Sequence, residues 1–150
     1  MLDKIFPKIH TEGYKFLVIF IAATIVLYFI HGFLGFVGFV LSIWVYYFFR
    51  DPDRVSIDDD NYLTSPADGL VLQVLETNGP KELELENKKF TKISIFMNVF
   101  DCHVNRTPCA GKISQIVYKP GKFFNASLDK ASEENERNYF KIKDKKTNEI

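Results

Sequence analysis

The feature that most constrains this chain is a run of 34 residues, 16–49, that contains no Asp, Glu, Lys or Arg. As one straight helix this run would be about 51 Å long, well beyond the roughly 30 Å hydrocarbon core of a bilayer. The pair His31-Gly32 offers a break, which leaves apolar stretches of fifteen and seventeen residues, 16–30 and 33–49. Each stretch is near the short end of a membrane-spanning helix. The sequence therefore predicts an N-terminal α-helical membrane hairpin.

Basic residues flank the apolar run on both sides, namely Lys4, Lys8, Lys15, Arg50 and Arg54. Because basic flanks favour the cytoplasmic side, both ends of the hairpin are expected inside, and residues 1–50 are expected to be the membrane-anchoring segment. A single tilted span and a pair of buried core helices are the alternatives. A cleaved signal peptide fits poorly, since the run is more than twice as long as a typical signal-peptide core.

The charges divide into two unlike parts. Residues 1–50 carry a formal charge of +2 and the remainder carries −2, so the chain lacks the strong positive excess of a nucleic-acid-binding protein. Its two cysteines, Cys102 and Cys109, are too few for a secreted disulfide scaffold and indicate a reducing compartment.

Short apolar runs separated by Gly and Pro predict a mainly β domain over residues 51–150. The predicted strands lie in "GLVLQVLE", "KISIFMNVF" and "GKISQIVYKPGKFFNA", and a short helix or ordered loop is expected over 127–140. The last run, "FKIKDKKTNEI", is expected to be the first strand and turn of a hairpin. Because a hairpin without its second strand leaves an unpaired edge, the β domain is expected to be incomplete at its C-terminus.

Two polar clusters in the β region are candidates for a functional site. Asp68 lies in the turn "SPADG", and His103 lies in "FDCHVNR" at the end of an apolar run. Asp-Gly is common in turns, and a histidine at a strand end often has a structural role. For both residues, a structural and a functional role therefore remain open. No metal site is expected, because Cys102, His103 and Cys109 match no zinc spacing. A nucleophilic triad is not expected either, since no G-x-S-x-G motif is present.

Five motifs, "FFRDPDR", "SPADG", "IFMNVFDCHVNRTPCAGKI", "YKPGKFFNA" and "ENERN", occur in an order and spacing that resembles the phosphatidylserine decarboxylase proenzyme family in its short, membrane-anchored form. The resemblance covers residues 45–142. It implies a β-sandwich-like decarboxylase domain that converts phosphatidylserine to phosphatidylethanolamine and CO2. An inner-membrane location fits this family, and the basic flanks predict that the soluble domain lies on the cytoplasmic side.

The resemblance further implies a covalent pyruvoyl cofactor, formed when the serine of a Gly-Ser pair attacks the preceding carbonyl and the chain splits. Asp68 and His103 match the family positions that assist this serine, and are the expected catalytic residues. Long-form relatives have a second histidine where this chain has Arg106, which leaves Arg106 to bind the carboxylate or phosphate of the substrate. Lys119 and Lys122 are also expected to bind substrate, and an ordinary exposed turn is the competing interpretation of these lysines.

No Gly-Ser pair occurs in the 150 residues. The pyruvoyl-forming serine is therefore expected beyond residue 150, in a C-terminal subunit that would be a partner of this chain along with the phospholipid. The chain is accordingly expected to be truncated or a fragment, and inactive alone. A homo-oligomer is compatible with the sequence.

Two alternative functions remain open. The first is a non-catalytic, membrane-anchored protein that binds anionic lipid or a partner through "YKPGKFF". The second is a β fold of the metallopeptidase or phosphocarrier type, which also uses turns similar to "SPADG". The metallopeptidases need further metal-ligating histidines, and residues 51–150 contain only His103.

Overall fold

The computed structural model describes residues 6–57, 59, 61–124 and 134–144. These residues form two compact units. The first unit contains the described residues of Met1–Ile57, Ser65–Gly69 and Met97–Arg106; the second contains those of Asp58–Thr64, Leu70–Phe96 and Thr107–Ile150. Two short segments from the polar part of the chain therefore belong to the same unit as the apolar run.

Two helices account for the apolar run. Helix α1 spans Gly13–Ile30 and helix α2 spans Gly32–Phe48, with His31 between them in an extended conformation. Nδ1 of His31 accepts a hydrogen bond from the backbone N–H of Phe33 at 3.2 Å, which caps the start of α2. The predicted break at His31-Gly32 is confirmed.

The helices pack as an antiparallel pair through small and polar residues. Gly35 lies against Tyr28 and Gly38 lies against Thr24, so the two backbones approach closely at these points. Oγ1 of Thr24 and Oγ of Ser42 are 3.1 Å apart and hydrogen-bonded. Small residues and interhelical hydrogen bonds of this kind are typical of helix contacts inside membranes.

The open end of the helix pair is closed by the segments that enter and leave it. Ile9 and Arg50 form an antiparallel bridge, and the N–H of His10 donates to the carbonyl of Phe49 at 2.8 Å. Helix α1 is long and apolar enough to cross a membrane, while α2 is a shorter apolar helix of 17 residues. Most of their large apolar side chains are exposed. Such a surface is unfavourable in water, which supports membrane association.

The second unit contains two antiparallel pairs of strands. These are β1 (Leu70–Asn78) with β2 (Lys89–Phe96), and β3 (Gly111–Lys119) with β4 (Arg137–Asp144). The register shifts once in each pair, between Val71 and Gln73 and between Ile113 and Gln115. A 3-10 turn at Lys81–Leu83 follows β1. The buried apolar side chains described in this unit are Leu83, Leu85 and Ile142.

The strands confirm part of the sequence prediction and correct part of it. Strands β1 and β3 form where they were expected, but the strand predicted over 92–100 ends at Phe96, since a turn follows in which the N–H of Asp101 donates to the carbonyl of Asn98. The prediction that the last run opens a new hairpin is wrong, because β4 pairs back with β3. Alternating apolar residues identify a strand without identifying its partner. The helix or loop expected over 127–140 is wrong for residues 137–140, which belong to β4, and residues 127–133 lie outside the described residues.

The predicted fold class, a mainly β domain with an N-terminal helical hairpin, is confirmed in part. In the described residues the helices contain 18 and 17 residues, and the four strands contain 9, 8, 9 and 8. The fold of these residues is thus mixed α and β, with two small antiparallel sheets. The prediction overestimated strand content at residues 97–100, which form a loop and turn. After Pro120-Gly121, the described residues show only an isolated bridge between Lys122 and Asn135.

Candidate active site

Two loops of the first unit hold the predicted catalytic residues, Asp68 and His103. The backbone N–H of Arg106 donates to the carbonyl of Pro66 at 2.8 Å and joins these loops to each other. Gly69 ends the first loop with a φ of 150°, a conformation that favours glycine. The structure therefore brings the surroundings of Asp68 and His103 into one unit, although the two residues are distant in sequence.

The loop that carries the histidine, residues 97–106 and here called the histidine loop, is fixed against the C-terminal end of α2. Nε1–H of Trp44 donates to the carbonyl of Val99 at 3.3 Å. The guanidinium of Arg50 donates to the carbonyl of Phe100 at 2.9 Å. Side chains at the end of an apolar helix thus hold the backbone of this loop.

The histidine loop also has internal and buried contacts. The N–H of Asn98 donates to the carboxylate of Asp101 at 2.9 Å, and the N–H of Asp101 donates to the carbonyl of Asn98 at the same distance. Cys102 is 3% exposed, and its Sγ lies 3.1 Å from the carbonyl oxygen of Arg50. Cys102 is therefore a packing residue here. Among the described residues, no group of three or more His, Cys, Asp or Glu side chains is arranged to hold a metal ion.

His103 is held by a ring contact and a hydrogen bond. Its imidazole stacks on Phe48 of α2, with ring centroids 4.1 Å apart and planes inclined by 23°. Its Nδ1 lies 3.0 Å from the carbonyl oxygen of Asp101. Because a carbonyl oxygen only accepts hydrogen bonds, Nδ1 of the neutral ring carries the hydrogen and Nε2 keeps its lone pair. The arrangement leaves Nε2 as the basic atom of His103.

Asp68 forms an ion pair with the guanidinium of Arg54. Both side chains are nearly half exposed, at 43% and 47% respectively. Within the described part of the chain, Asp68 is not hydrogen-bonded to His103, whose Nδ1 instead contacts the Asp101 carbonyl. The catalytic roles of Asp68 and His103 remain predictions.

Arg106 forms an ion pair with the carboxylate of Asp51, and it also donates to the carbonyl of Pro52 at 2.7 Å. The segment "RDPDR" therefore supplies partners to the site through Asp51 and Arg54. From the sequence, this segment is identified as part of a family motif and its arginines as basic flanks, but these ion pairs are not predicted. Its closely spaced opposite charges were the available signal. That Arg106 binds substrate remains a prediction.

The two predicted substrate-binding lysines belong to the second unit. Nζ of Lys119 lies 2.7 Å from Oε1 of Glu82, and this hydrogen bond lowers the pKa of the Glu82 carboxyl below its usual value. Nζ of Lys122 lies 2.7 Å from a carboxylate oxygen of Glu134 and 5.3 Å from the centroid of the Phe124 ring. Each lysine thus has a carboxylate partner, and their roles in substrate binding remain predictions.

Residues 41–150 match the family of phosphatidylserine decarboxylase. Three similar proteins are all phosphatidylserine decarboxylase proenzymes. That of Pelagibacter ubique is 78% identical over 142 residues, which cover 95% of this chain and 66% of the relative. That of Ruegeria pomeroyi is 51% identical over 138 residues, covering 92% and 63% respectively. That of Cereibacter sphaeroides is 46% identical over 143 residues, covering 95% and 62%. The chain thus spans less than two thirds of each relative.

Proposed function

Because the chain belongs to the phosphatidylserine decarboxylase family, we propose that it is the membrane-anchored, histidine-bearing part of a proenzyme that converts phosphatidylserine to phosphatidylethanolamine and CO2. The observation that carries this proposal is the fixed geometry of His103. Its Nδ1 is held by the Asp101 carbonyl and its ring by Phe48. A histidine with Nε2 available as a base, next to an apolar helix, suits chemistry on a lipid headgroup.

His103 has two successive tasks in this proposal. During maturation, Nε2 removes the proton of a serine hydroxyl, since serine is a poor nucleophile without a base. During turnover, the protonated ring donates its Nε2 proton to the Cα atom of the substrate after CO2 has left, and Nε2 takes up a proton from solvent before the next cycle. The Asp101 carbonyl accepts a hydrogen bond from Nδ1–H in both tasks, and so stabilises the positive charge that the ring carries whenever Nε2 is protonated.

Asp68 and Arg106 complete the proposed site. Asp68, oriented by its ion pair with Arg54, assists the serine as the second catalytic residue. Arg106 has five N–H donors and binds the carboxylate or phosphate of the substrate through those that Asp51 and Pro52 do not occupy. Lys119 and Lys122 bind the phospholipid by exchanging their carboxylate partners, Glu82 and Glu134, for a phosphate.

The chain has a base, His103, and cationic side chains that suit the chemistry of a pyruvoyl enzyme. It does not contain the serine from which the pyruvoyl group would form. None of the chain's glycines is followed by serine, so the precursor serine comes from residues beyond 150. When present, the pyruvoyl carbonyl supplies an electron sink for the bond between Cα and the departing carboxylate.

The proposed location is the inner membrane, with residues 1–50 as a two-pass anchor and residues 51–150 on the cytoplasmic side. The pairing of Ile9 with Arg50 puts both ends of the helix pair together. The basic flanks Lys8, Lys15 and Arg54 lie at that same end, which favours the cytoplasm.

The sheets of the second unit expose apolar side chains that a further part of the protein would cover. Leu70, Leu72 and Val74 of β1 are each more than 60% exposed. Patches of this kind mark interaction surfaces. In the proposal, the pyruvoyl-bearing C-terminal subunit covers them and completes a β-sandwich-like domain.

The test joins this chain to a C-terminal segment of the family that carries Gly-Ser, and measures CO2 release from vesicles of carboxyl-labelled phosphatidylserine. The expected result is cleavage into two subunits and release of labelled CO2. His103→Ala is expected to abolish both, and the matched control His10→Ala to retain both. A folded and cleaved protein that releases no CO2 would contradict the enzymatic proposal and favour the non-catalytic lipid-binding alternative.

A further inference from the structure

We infer that the first unit contains a binding site for an anionic diacylglycerophospholipid at the end of the helix pair, formed by a charged cavity and an adjoining apolar groove. This inference rests on the membrane placement proposed above but not on decarboxylation. Binding and catalysis can therefore be tested, and can fail, separately.

The charged cavity has a volume of 860 Å³, which lies within the usual range for small-molecule sites. Its walls come from three parts of the first unit: the segment before α1, the C-terminal end of α2 with the residues that follow it, and the histidine loop. Trp44 and Tyr47 are among the lining residues. Such amphipathic aromatics prefer the headgroup level of a membrane, so the cavity lies where lipid phosphates are found.

The charge of the cavity favours an anion. Its lining includes three cationic side chains, Lys8, Arg50 and Arg54, and one carboxylate, Asp53. Arg54 is already paired with Asp68, which does not line the cavity, so the positive excess comes from Lys8 and Arg50. Lys8 is 3.4 Å from Asp53, and both side chains are at least 79% exposed. A pair this exposed is weak, so a phosphate can displace Asp53 from Lys8 at little cost.

Arg50 provides a cation at a fixed position. In the described part of the chain its guanidinium contacts two backbone carbonyls, those of Tyr47 at 2.8 Å and Phe100 at 2.9 Å, rather than a carboxylate. Its positive charge is therefore not neutralised by these contacts. Its remaining N–H donors are available to a phosphate oxygen.

An apolar groove of 670 Å³ adjoins the charged cavity, because Phe6 and Tyr47 line both. The groove runs along α1 and α2, and its lining includes Leu17, Ile25 and Phe39. The two spaces together match one amphipathic molecule, with a phosphate in the charged cavity and an acyl chain along the helices. A free phosphate would fill only the charged cavity and leave the groove empty. A lipid without net charge would fill both spaces but would not balance the positive charge of the cavity.

The chain contains a single tryptophan, and Trp44 lines the charged cavity. Its fluorescence therefore reports a lipid whose phosphate lies in the cavity and whose acyl chain enters the adjoining groove. The experiment titrates the detergent-solubilised protein with phospholipids whose acyl chains are dibrominated, since bromine quenches tryptophan at short range. The probes are phosphatidylserine, phosphatidylglycerol and phosphatidylcholine, each at a low mole fraction in the micelle.

Saturable quenching by both anionic lipids is expected, with at least about fivefold weaker binding of phosphatidylcholine, since one basic side chain near an anionic lipid contributes roughly that factor. Lys8→Gln is expected to weaken binding of the anionic lipids about fivefold. Lys15→Gln is the matched control, because Lys15 is also paired with a carboxylate, Glu12, but does not line the cavity. It is expected to bind as the unaltered protein does.

The groove is tested by Phe6→Ser, with Phe29→Ser as a matched change of an exposed phenylalanine that does not line either space. Only Phe6→Ser is expected to weaken quenching. An unchanged emission maximum without lipid shows that each variant keeps the surroundings of Trp44. Equal quenching by phosphatidylcholine and the anionic lipids, or equal effects of Lys8→Gln and Lys15→Gln, would overturn the inference whatever the decarboxylation assay gives.

Discussion

Replacing Gly35 by alanine is expected to destabilise the packing of α1 against α2, whereas the same replacement at Gly32 is not. A Cβ atom at Gly35 would lie 2.7 Å from Cβ and 2.8 Å from Cα of Tyr28. Since one of these atoms belongs to the backbone, a change of rotamer cannot relieve the contact and the helices must move apart. At Gly32 no such neighbour lies within 4 Å.

The expected difference follows from these contacts. Overpacking of this kind costs about 1–3 kcal/mol, and both substitutions favour the helical backbone in the same direction. Gly35→Ala should therefore be about 1–3 kcal/mol less stable than Gly32→Ala, which is about 5–150-fold in the unfolding equilibrium constant. The comparison between the two variants isolates the cost of packing.

Reversible unfolding in mixed micelles, titrated with a denaturing detergent and followed by the fluorescence of Trp44, measures this difference. Trp44 suits the assay because its Nε1 is hydrogen-bonded to Val99 in the folded first unit. If the two variants unfold at the same detergent fraction, the close contact between Gly35 and Tyr28 does not exist in the folded protein. The reasoning about the hairpin would then be refuted.

Three further predictions follow from individual side chains. Phe48→Leu removes the ring that stacks on His103, a contact worth about 0.5–1.5 kcal/mol, and should slow subunit cleavage of the Gly-Ser-bearing protein by about two- to tenfold; an unchanged cleavage rate on gels would contradict it. Burial raises the pKa of the Cys109 thiol above 9.0, so its alkylation by iodoacetamide, followed by mass spectrometry, should still accelerate above pH 9.0; a plateau below that pH would oppose this. The hydrogen bond from Lys119 lowers the pKa of Glu82 below 4.5, so its contribution to stability is present above pH 4.5 and is lost as pH falls through the lowered pKa. The difference in thermal stability between the unaltered protein and Lys119→Met should shrink in that range, and a difference independent of pH would contradict it.

The elements that the sequence predicted well are those with a strong local cause. The break at His31-Gly32 was predictable because an uncharged run of 34 residues is too long for one span and because Gly32 follows a polar residue. Strand β1 was predictable from the alternation that begins at Leu70. The pairing of β4 with β3 was not, since it joins Gly111 to Asp144 across a distance that no local pattern encodes.

In the candidate site too, local sequence identified some features and tertiary packing determined the others. The residue types of Asp68 and His103 were identified from motifs, but the partners of these residues were not. Arg54 and Phe48 reach them through tertiary packing, and Asp101 contributes a backbone carbonyl, which residue identity does not specify. Sequence patterns indicate which groups can perform the chemistry; the contacts that orient those groups depend on the fold.

The attachment of the histidine loop to α2 has a consequence for how the protein can be altered. Phe48 forms the surface under the His103 ring, and Arg50 and Trp44 hold the backbone of the same loop. The second hydrophobic helix is therefore not an interchangeable anchor. A variant that lacks residues 1–50, or one with an unrelated membrane hairpin, would keep Asp68 and His103. It would lose the Phe48 ring on which the His103 imidazole stacks. Solubilising the protein by removing its helices would thus dismantle the site that the experiment was meant to reveal.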